Sequence, residues 1–246
     1  MLRLMCVTAH PDDESGAFGG TLRLCHERAV ETCVVCLTPG QAARHRGSAK
    51  SDQELAALRR KEFAAACNIL QVTRGVVLDY ADGQLHRVNL DSVVGEITRH
   101  IRQFRPQVLI TLGAEGTITA HADHSMACVF ATLAYHWAGR SDHFQDQLED
   151  GLQPHRAQKL YYVTANFTLA ERQPVSLAPI TAEIEVGPYL ETRIAAFRAH
   201  VTQTPLFPIF ESAVRQHGTK EFFHLAARIT PGPIEHETDL FAGVSK

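Results

Sequence analysis

Short, nearly unbroken apolar runs alternate along this chain with longer amphipathic stretches. Residues 2–8 form a first run of strand length, and residues 32–37, 75–78 and 108–112 repeat the pattern. Between them, residues 15–29, 52–70 and 89–104 read as helices, and a fourth helix is expected over about 124–137. Ser51 or Asp52 is placed to cap the second helix, with Glu54 in its first turn, and Arg105-Pro106 ends the third. Strands that alternate with helices predict an α/β fold: a Rossmann-like, mostly parallel sheet flanked by helices on both faces.

The second half is less regular. Residues 159–164 and 180–186 read as further strands. Leu190, Ile194, Phe197 and Val201 keep helical spacing, which predicts an amphipathic helix over 188–201. Residues 139–158 are polar and read as an excursion rather than a linker. Beyond Pro205, prolines at 208, 231 and 233 break the pattern, and the tail is expected to be peripheral. Residues 1–246 are read as one domain, a length that supports a single large core.

Composition narrows the class. Apolar content of 45% and charged content of 21% are ordinary for a soluble globular protein. A net charge of −3 gives no footprint for nucleic acid or an anionic membrane. No apolar run approaches the ~20 residues that a membrane span needs. The N-terminal apolar segment is too short for a secretory signal, so the cytoplasm is the expected location. Six cysteines do not suggest a disulfide scaffold at this length. Cys33 and Cys36 form a C-x-x-C pattern inside a strand-like run, where residues three apart face opposite sides, so they are read as small buried side chains.

The chemistry gathers in two loops. Thr8-Ala9-His10-Pro11-Asp12-Asp13-Glu14-Ser15 lies between the first strand and the first helix. In an open α/β sheet such a turn faces the crevice at the carboxyl ends of the strands. Imidazole and carboxylate are ligands for zinc and related divalent ions, and a cation would relieve the mutual repulsion of three adjacent acids. Pro11 biases His10 towards an extended conformation, so that His10 and Asp13 can converge while Asp12 points elsewhere. The plain alternative has Asp13 or Ser15 capping the helix, with Asp12 and Glu14 in water. The second loop, Thr119-Ala120-His121-Ala122-Asp123-His124, follows the fourth strand and can face the first. Its plain alternative has Asp123 as a cap and two surface histidines. Together the loops offer two histidines, one carboxylate and an open position, the ligand set of a catalytic zinc, with a carboxylate left over as base and a histidine as oxyanion partner.

His10-Pro11-Asp12-Asp13-Glu14 paired with His121-x-Asp123-His124 resembles the LmbE-like, or PIG-L, family of zinc-dependent N-acetylglucosaminyl de-N-acetylases. Thr38-Pro39-Gly40, Arg59-x-x-Glu62, Leu78-Asp79-Tyr80-x-Asp82-Gly83 and Ala199-His200-x-Thr202-Gln203 follow in the family's order. The resemblance implies that His10, Asp13 and His124 hold a Zn2+ ion, or another divalent ion such as Fe2+. It implies Asp12 as general base, His121 as oxyanion stabiliser, and Asp123 as support for the neighbouring histidine. Arg59 and Asp82 are associated with the sugar pocket, although Arg59 and Glu62 could equally form a structural ion pair. The implied partner is a small-molecule N-acetylated sugar conjugate, and a homo-oligomer stays open. One departure is Thr117-Ile118-Thr119-Ala120, which lacks the aromatic residue that many members carry before the second motif.

Other readings compete with this one. A metal-dependent amidase on a non-sugar amide would use the same site. A non-haem iron oxygenase shares the ligand types but commonly has an all-β fold. A dinucleotide site is disfavoured because Gly16-Ala17-Phe18-Gly19-Gly20 departs from G-x-G-x-x-G and acids crowd the helix start. A non-catalytic binding protein is disfavoured by the intact set of ligand-type residues.

Overall fold

The computed structural model describes residues 1–245. Strand β1 (Arg3–Thr8) leads into α1 (Asp13–Glu27), β2 (Glu31–Cys36), α2 (Asp52–Leu70) and β3 (Arg74–Val77). Then come α3 (Leu90–Phe104), β4 (Val108–Thr111), α4 (Ala122–Trp137), the short α5 (Gln145–Glu149) and β5 (Lys159–Thr164). The chain finishes with β6 (Ala182–Glu185), α6 (Leu190–Arg198), α7 (Phe207–His217) and β7 (Lys220–Arg228). Seven strands form one sheet in the order β3-β2-β1-β4-β5-β7-β6. The first five in that order run parallel, while β7 is antiparallel to both β5 and β6.

The central strands are apolar on both sides because helices cover both faces. Leu4, Met5, Cys6 and Val7 of β1 are wholly buried, as are Val108, Leu109 and Ile110 of β4. Strand β1 lies between β2 and β4, with Val7 level with Thr111. Chain order reverses at this pair, so the loops leaving β1 and β4 diverge and open a crevice, the usual ligand position in such sheets. The oxygenase alternative loses its footing in a mostly parallel α/β sheet. Cys33 and Cys36 are buried, and burial raises both thiols well above their ordinary range, consistent with inert core residues.

The C-terminal third departs from expectation. Strand β7 is not peripheral: it sits between β5 and β6, with Phe223 and Leu225 in the core. Its disguise is Glu221, a buried carboxylate that accepts the α1 backbone N–H groups of Gly20 (2.9 Å) and Thr21 (2.8 Å) and faces Arg193. The polar excursion is anchored by an equally unexpected group. Arg102, fully buried on α3, donates to the carbonyls of Ala138, Arg140, His143 and Phe144 and to Gln147 Oε1, at 2.8 to 3.2 Å. One guanidinium thus satisfies the end of α4 and the turn into α5.

Candidate active site

The turn after β1 is built around two aspartates with opposite habits. Asp13 folds back on the strand end: its Oδ2 accepts the N–H groups of Ala9 (3.0 Å) and His10 (2.8 Å). Asp12 adopts φ 118°, ψ −25°, a left-handed conformation that costs a non-glycine residue about 1–3 kcal/mol. Hydrogen bonds hold it there on both sides. Its N–H donates to Glu14 Oε2 (2.9 Å), and its carbonyl accepts from Gly16 N (2.8 Å) and Ser15 Oγ (3.0 Å). Its carboxylate meets the buried Arg59 of α2, whose Nη2 lies 2.8 Å from Oδ2. Arg59 also donates to the carbonyls of Pro11 and Gly40. Gly40 is glycine for two reasons: its φ is +67°, and an added Cβ would stand 2.1 Å from Arg59 Nη1. Burial raises the Asp12 carboxyl above its usual range, Arg59 pulls it back, and Asp13 adds to the rise.

His10 points one nitrogen each way. Nε2 donates towards Asp82 Oδ1 at 3.0 Å and Asp123 Oδ2 at 3.4 Å, while Nδ1 lies 3.8 Å from Asp13 Oδ2. Burial opposes a charge on this ring, but Asp123, Asp82 and Asp13 outweigh it and hold the pKa up at about 10. Asp123 is fixed in turn by the N–H groups of Gly83 (2.7 Å) and Leu85 (3.2 Å), and Asp82 by Ala42 N (2.9 Å). Asp123 therefore touches His10 across the crevice, not the adjacent His124.

His124 is oriented from its own loop. Nδ1 lies 3.3 Å from the Gly116 carbonyl, with the Thr117 and Thr119 hydroxyls at 3.2 and 3.3 Å. A carbonyl only accepts, so a ring proton belongs on Nδ1, and Nε2 is presented to Asp13 Oδ1 at 3.1 Å. The two threonines belong to the Thr117-Ile118-Thr119-Ala120 stretch, which carries no aromatic residue. His121 caps α4, its Nδ1 accepting the Asp123 N–H at 3.2 Å, which leaves Nε2–H as a donor. Its ring centroid is 4.7 Å from that of His10 and 5.1 Å from that of His124.

These contacts bear on a metal. His10 Nδ1 and His124 Nε2 both converge on the Asp13 carboxylate, at 3.8 and 3.1 Å, so that a divalent ion displacing their protons would meet two imidazole nitrogens and one carboxylate. Among the described residues, His10, His121 and His124 place nitrogens within 4.8 Å of one another, as His10, Asp82 and Asp123 do with nitrogen and oxygen. In the second group the near nitrogen of His10 is already engaged by the two carboxylates. The donor set fits a divalent ion.

Three features were not assigned from sequence. Glu14 is fully buried and its Oε1 lies 2.7 Å from Nε2 of His200, also fully buried. Glu62 does not pair with Arg59; it accepts Thr202 N (2.8 Å) and Oγ1 (2.7 Å). Backbone at residues 83–85 holds Asp123. Glu14, Glu62, Gly83, His200 and Thr202 all fall in motifs visible in the sequence, but nothing local there indicates these contacts.

A Rossmann-like sheet with a His/Asp cluster that could hold a metal, set where its strand order reverses, marks the chain as an α/β protein with a crevice-type site at the carboxyl ends of its strands. The chain belongs to the PIG-L family, whose model, described as GlcNAc-PI de-N-acetylase, matches residues 5–135. It is 30% identical to a 1D-myo-inositol 2-acetamido-2-deoxy-alpha-D-glucopyranoside deacetylase of Thermobispora bispora, over 98% of each chain. It is 27% identical to a mycothiol S-conjugate amidase of Streptomyces coelicolor, over 89% of this chain and 82% of the relative. Among solved structures, N,N'-diacetylchitobiose deacetylase from Pyrococcus horikoshii superimposes with a TM-score of 0.77. It shares 21% identity, with 93% of this chain and 86% of that one covered, a likeness of fold.

Proposed function

We propose that this protein is a zinc-dependent de-N-acetylase acting on an N-acetylglucosamine-type sugar conjugate. The observation that carries the reading is the convergence of His10 Nδ1 and His124 Nε2 on the Asp13 carboxylate, beside a partly buried and pinned Asp12. Those three residues would hold a zinc ion, or another divalent ion such as Fe2+, which when bound supplies Lewis acidity towards water and the acetamide carbonyl. Asp12, with its pKa raised by burial, takes the proton of the attacking water and returns it to the departing nitrogen. His121 donates Nε2–H to the oxygen that becomes negative, a role its Nδ1 hydrogen bond prepares. Asp123 and Asp82 fix the ring of His10, as carboxylates commonly do behind metal-binding histidines.

Arg59 acts on this reading by holding Asp12 rather than by reaching the sugar, since its Nη atoms are taken by Asp12, Pro11 and Gly40. The whole of residues 1–246 is read as one catalytic domain, supported by the contacts of His200 and Thr202 with Glu14 and Glu62. Among the described residues no helix is long and apolar enough to cross a membrane.

The sugar preference is supported by relatives named for N-acetylglucosaminyl inositol and, in Thermococcus kodakarensis, diacetylchitobiose. The amidase relative favours a second reading, cleavage at the same site of an amide other than a sugar acetamide. The test is to incubate zinc-loaded protein with N-acetylglucosaminyl inositol, diacetylchitobiose and N-acetylated amino acids, measuring acetate and free amine. The first reading expects turnover of a sugar, reduced about 100-fold or more in Asp12→Asn. Turnover confined to the amino-acid amides would select the second, and none on any substrate would reject both.

A further inference from the structure

The strained Asp12 is braced from a part of the chain that lies beyond residues 5–135, the span of the family match. Its N–H is held by Glu14 Oε2 at 2.9 Å, and the other oxygen of that carboxylate is held by His200 Nε2 at 2.7 Å. Both side chains are wholly shut off from solvent, and 186 residues separate them. Two residues after His200, Thr202 binds Glu62 through both its N–H (2.8 Å) and its hydroxyl (2.7 Å). Glu62 lies one helical turn after Arg59 on α2, and Arg59 is the partner of the Asp12 carboxylate. A single turn, residues 200–202, thus fastens the holder of the Asp12 backbone and the helix that presents the holder of its side chain.

A role in packing alone would not call for these residue types. A buried carboxylate is costly unless its oxygens are satisfied, and here each oxygen has a defined donor: Asp12 N on Oε2 and His200 Nε2 on Oε1. Apolar residues of similar size would fill the space without fixing the peptide plane at Asp12.

We propose that His200 is a positioning residue for the reaction: through Glu14 it sets the backbone of Asp12, and hence where that carboxylate stands. The inference rests on the assignment of Asp12 as base. The test compares His200→Leu, which cannot donate, with His200→Gln, whose amide can reach Glu14. Metal content, kcat, KM and a crystal structure of each variant are measured. The expected result is one metal per chain and a near-normal KM in both variants, kcat down about 30-fold or more in His200→Leu, and most of that loss recovered in His200→Gln. In the crystal, Asp12 of His200→Leu should leave positive φ. A His200→Leu protein with normal kcat and Asp12 still at positive φ would overturn the proposal, as would equal losses in both variants. Should His200→Leu fail to fold, Glu14→Gln takes its place, with the Asp12 dihedral and the KM-against-kcat split as readouts. The dihedral needs no substrate, so an enzyme inactive on every sugar would sink the functional reading while leaving this one to be judged.

Discussion

Replacing Asp123 by Asn changes one atom of a buried carboxylate, and the surroundings make the outcome calculable. Oδ2 accepts from Gly83 N at 2.7 Å and from His10 Nε2 at 3.4 Å, while Oδ1 accepts from Leu85 N at 3.2 Å. An amide has one acceptor and one donor end, so whichever way it turns, an NH2 group meets an N–H. The cheaper orientation keeps Gly83 and His10 and abandons Leu85, losing one hydrogen bond to a charged acceptor and leaving a buried N–H unpaired. That cost is about 2–3 kcal/mol, and for a chain of this size it lowers Tm by roughly 4–12 °C. His10 also loses one of the two carboxylates behind its far nitrogen, which should weaken metal affinity about 10- to 100-fold. Thermal melts of metal-free protein and competition against a chromophoric chelator measure the two effects separately. Asp82→Asn should act alike through His10 Nε2 and Ala42 N, and the pair should be non-additive because they share His10. An Asp123→Asn protein with unchanged Tm and zinc affinity within about twofold of the parent would refute the reasoning.

Three further outcomes follow from contacts away from the metal-facing atoms. Gly40→Ala must displace the Arg59 guanidinium and adopt positive φ, so kcat should fall about 10-fold or more with a modest loss of Tm; kinetics within error of the parent would contradict the Arg59 role. Arg102→Met removes five hydrogen bonds that tie the end of α4 to the turn into α5 and should cost on the order of 3 kcal/mol in urea unfolding, with proteolysis first appearing at residues 139–150; a loss under about 1 kcal/mol would show that the excursion does not depend on it. His100 on α3 is pushed down to about 4 by burial and by Arg74 and Arg99. Its folded pKa lies below its unfolded value, so its contribution is intact above pH 6.5 and is lost as pH falls towards 4, on the order of 3 kcal/mol in all. Urea titrations of parent and His100→Leu should diverge below pH 6.5, and parallel profiles would remove His100 as the cause.

What could be read in advance followed the strength of local patterns. Strands buried on both faces announce themselves as apolar runs, so β1, β2 and β4 were found within a residue or so of their bounds. Strand β7 was missed because Glu221 and His224 interrupt it, and the partners that make Glu221 tolerable lie about 200 residues away in α1. Arg102 was invisible for the same reason: nothing local marks an arginine whose acceptors are backbone carbonyls from another segment. At the site, residue types and spacing singled out His10, Asp12, Asp13, His121, Asp123 and His124, all of which line one crevice. Their partners were less legible. Arg59 was weighed against Glu62, its neighbour on the helix, when its partner is Asp12, and Asp123 was paired with the adjacent histidine when it meets His10. In both cases proximity along the chain suggested a contact that tertiary structure overrode.

The central claim is that two loops more than a hundred residues apart share one cation. Anomalous diffraction at the zinc edge, from crystals of the protein loaded with one equivalent of zinc, tests it directly. A single peak within coordination distance, about 2.0–2.2 Å, of His10 Nδ1, an Asp13 oxygen and His124 Nε2 is the predicted result. A peak held instead by Asp82 and Asp123, or none near His10 at full zinc occupancy, would contradict it.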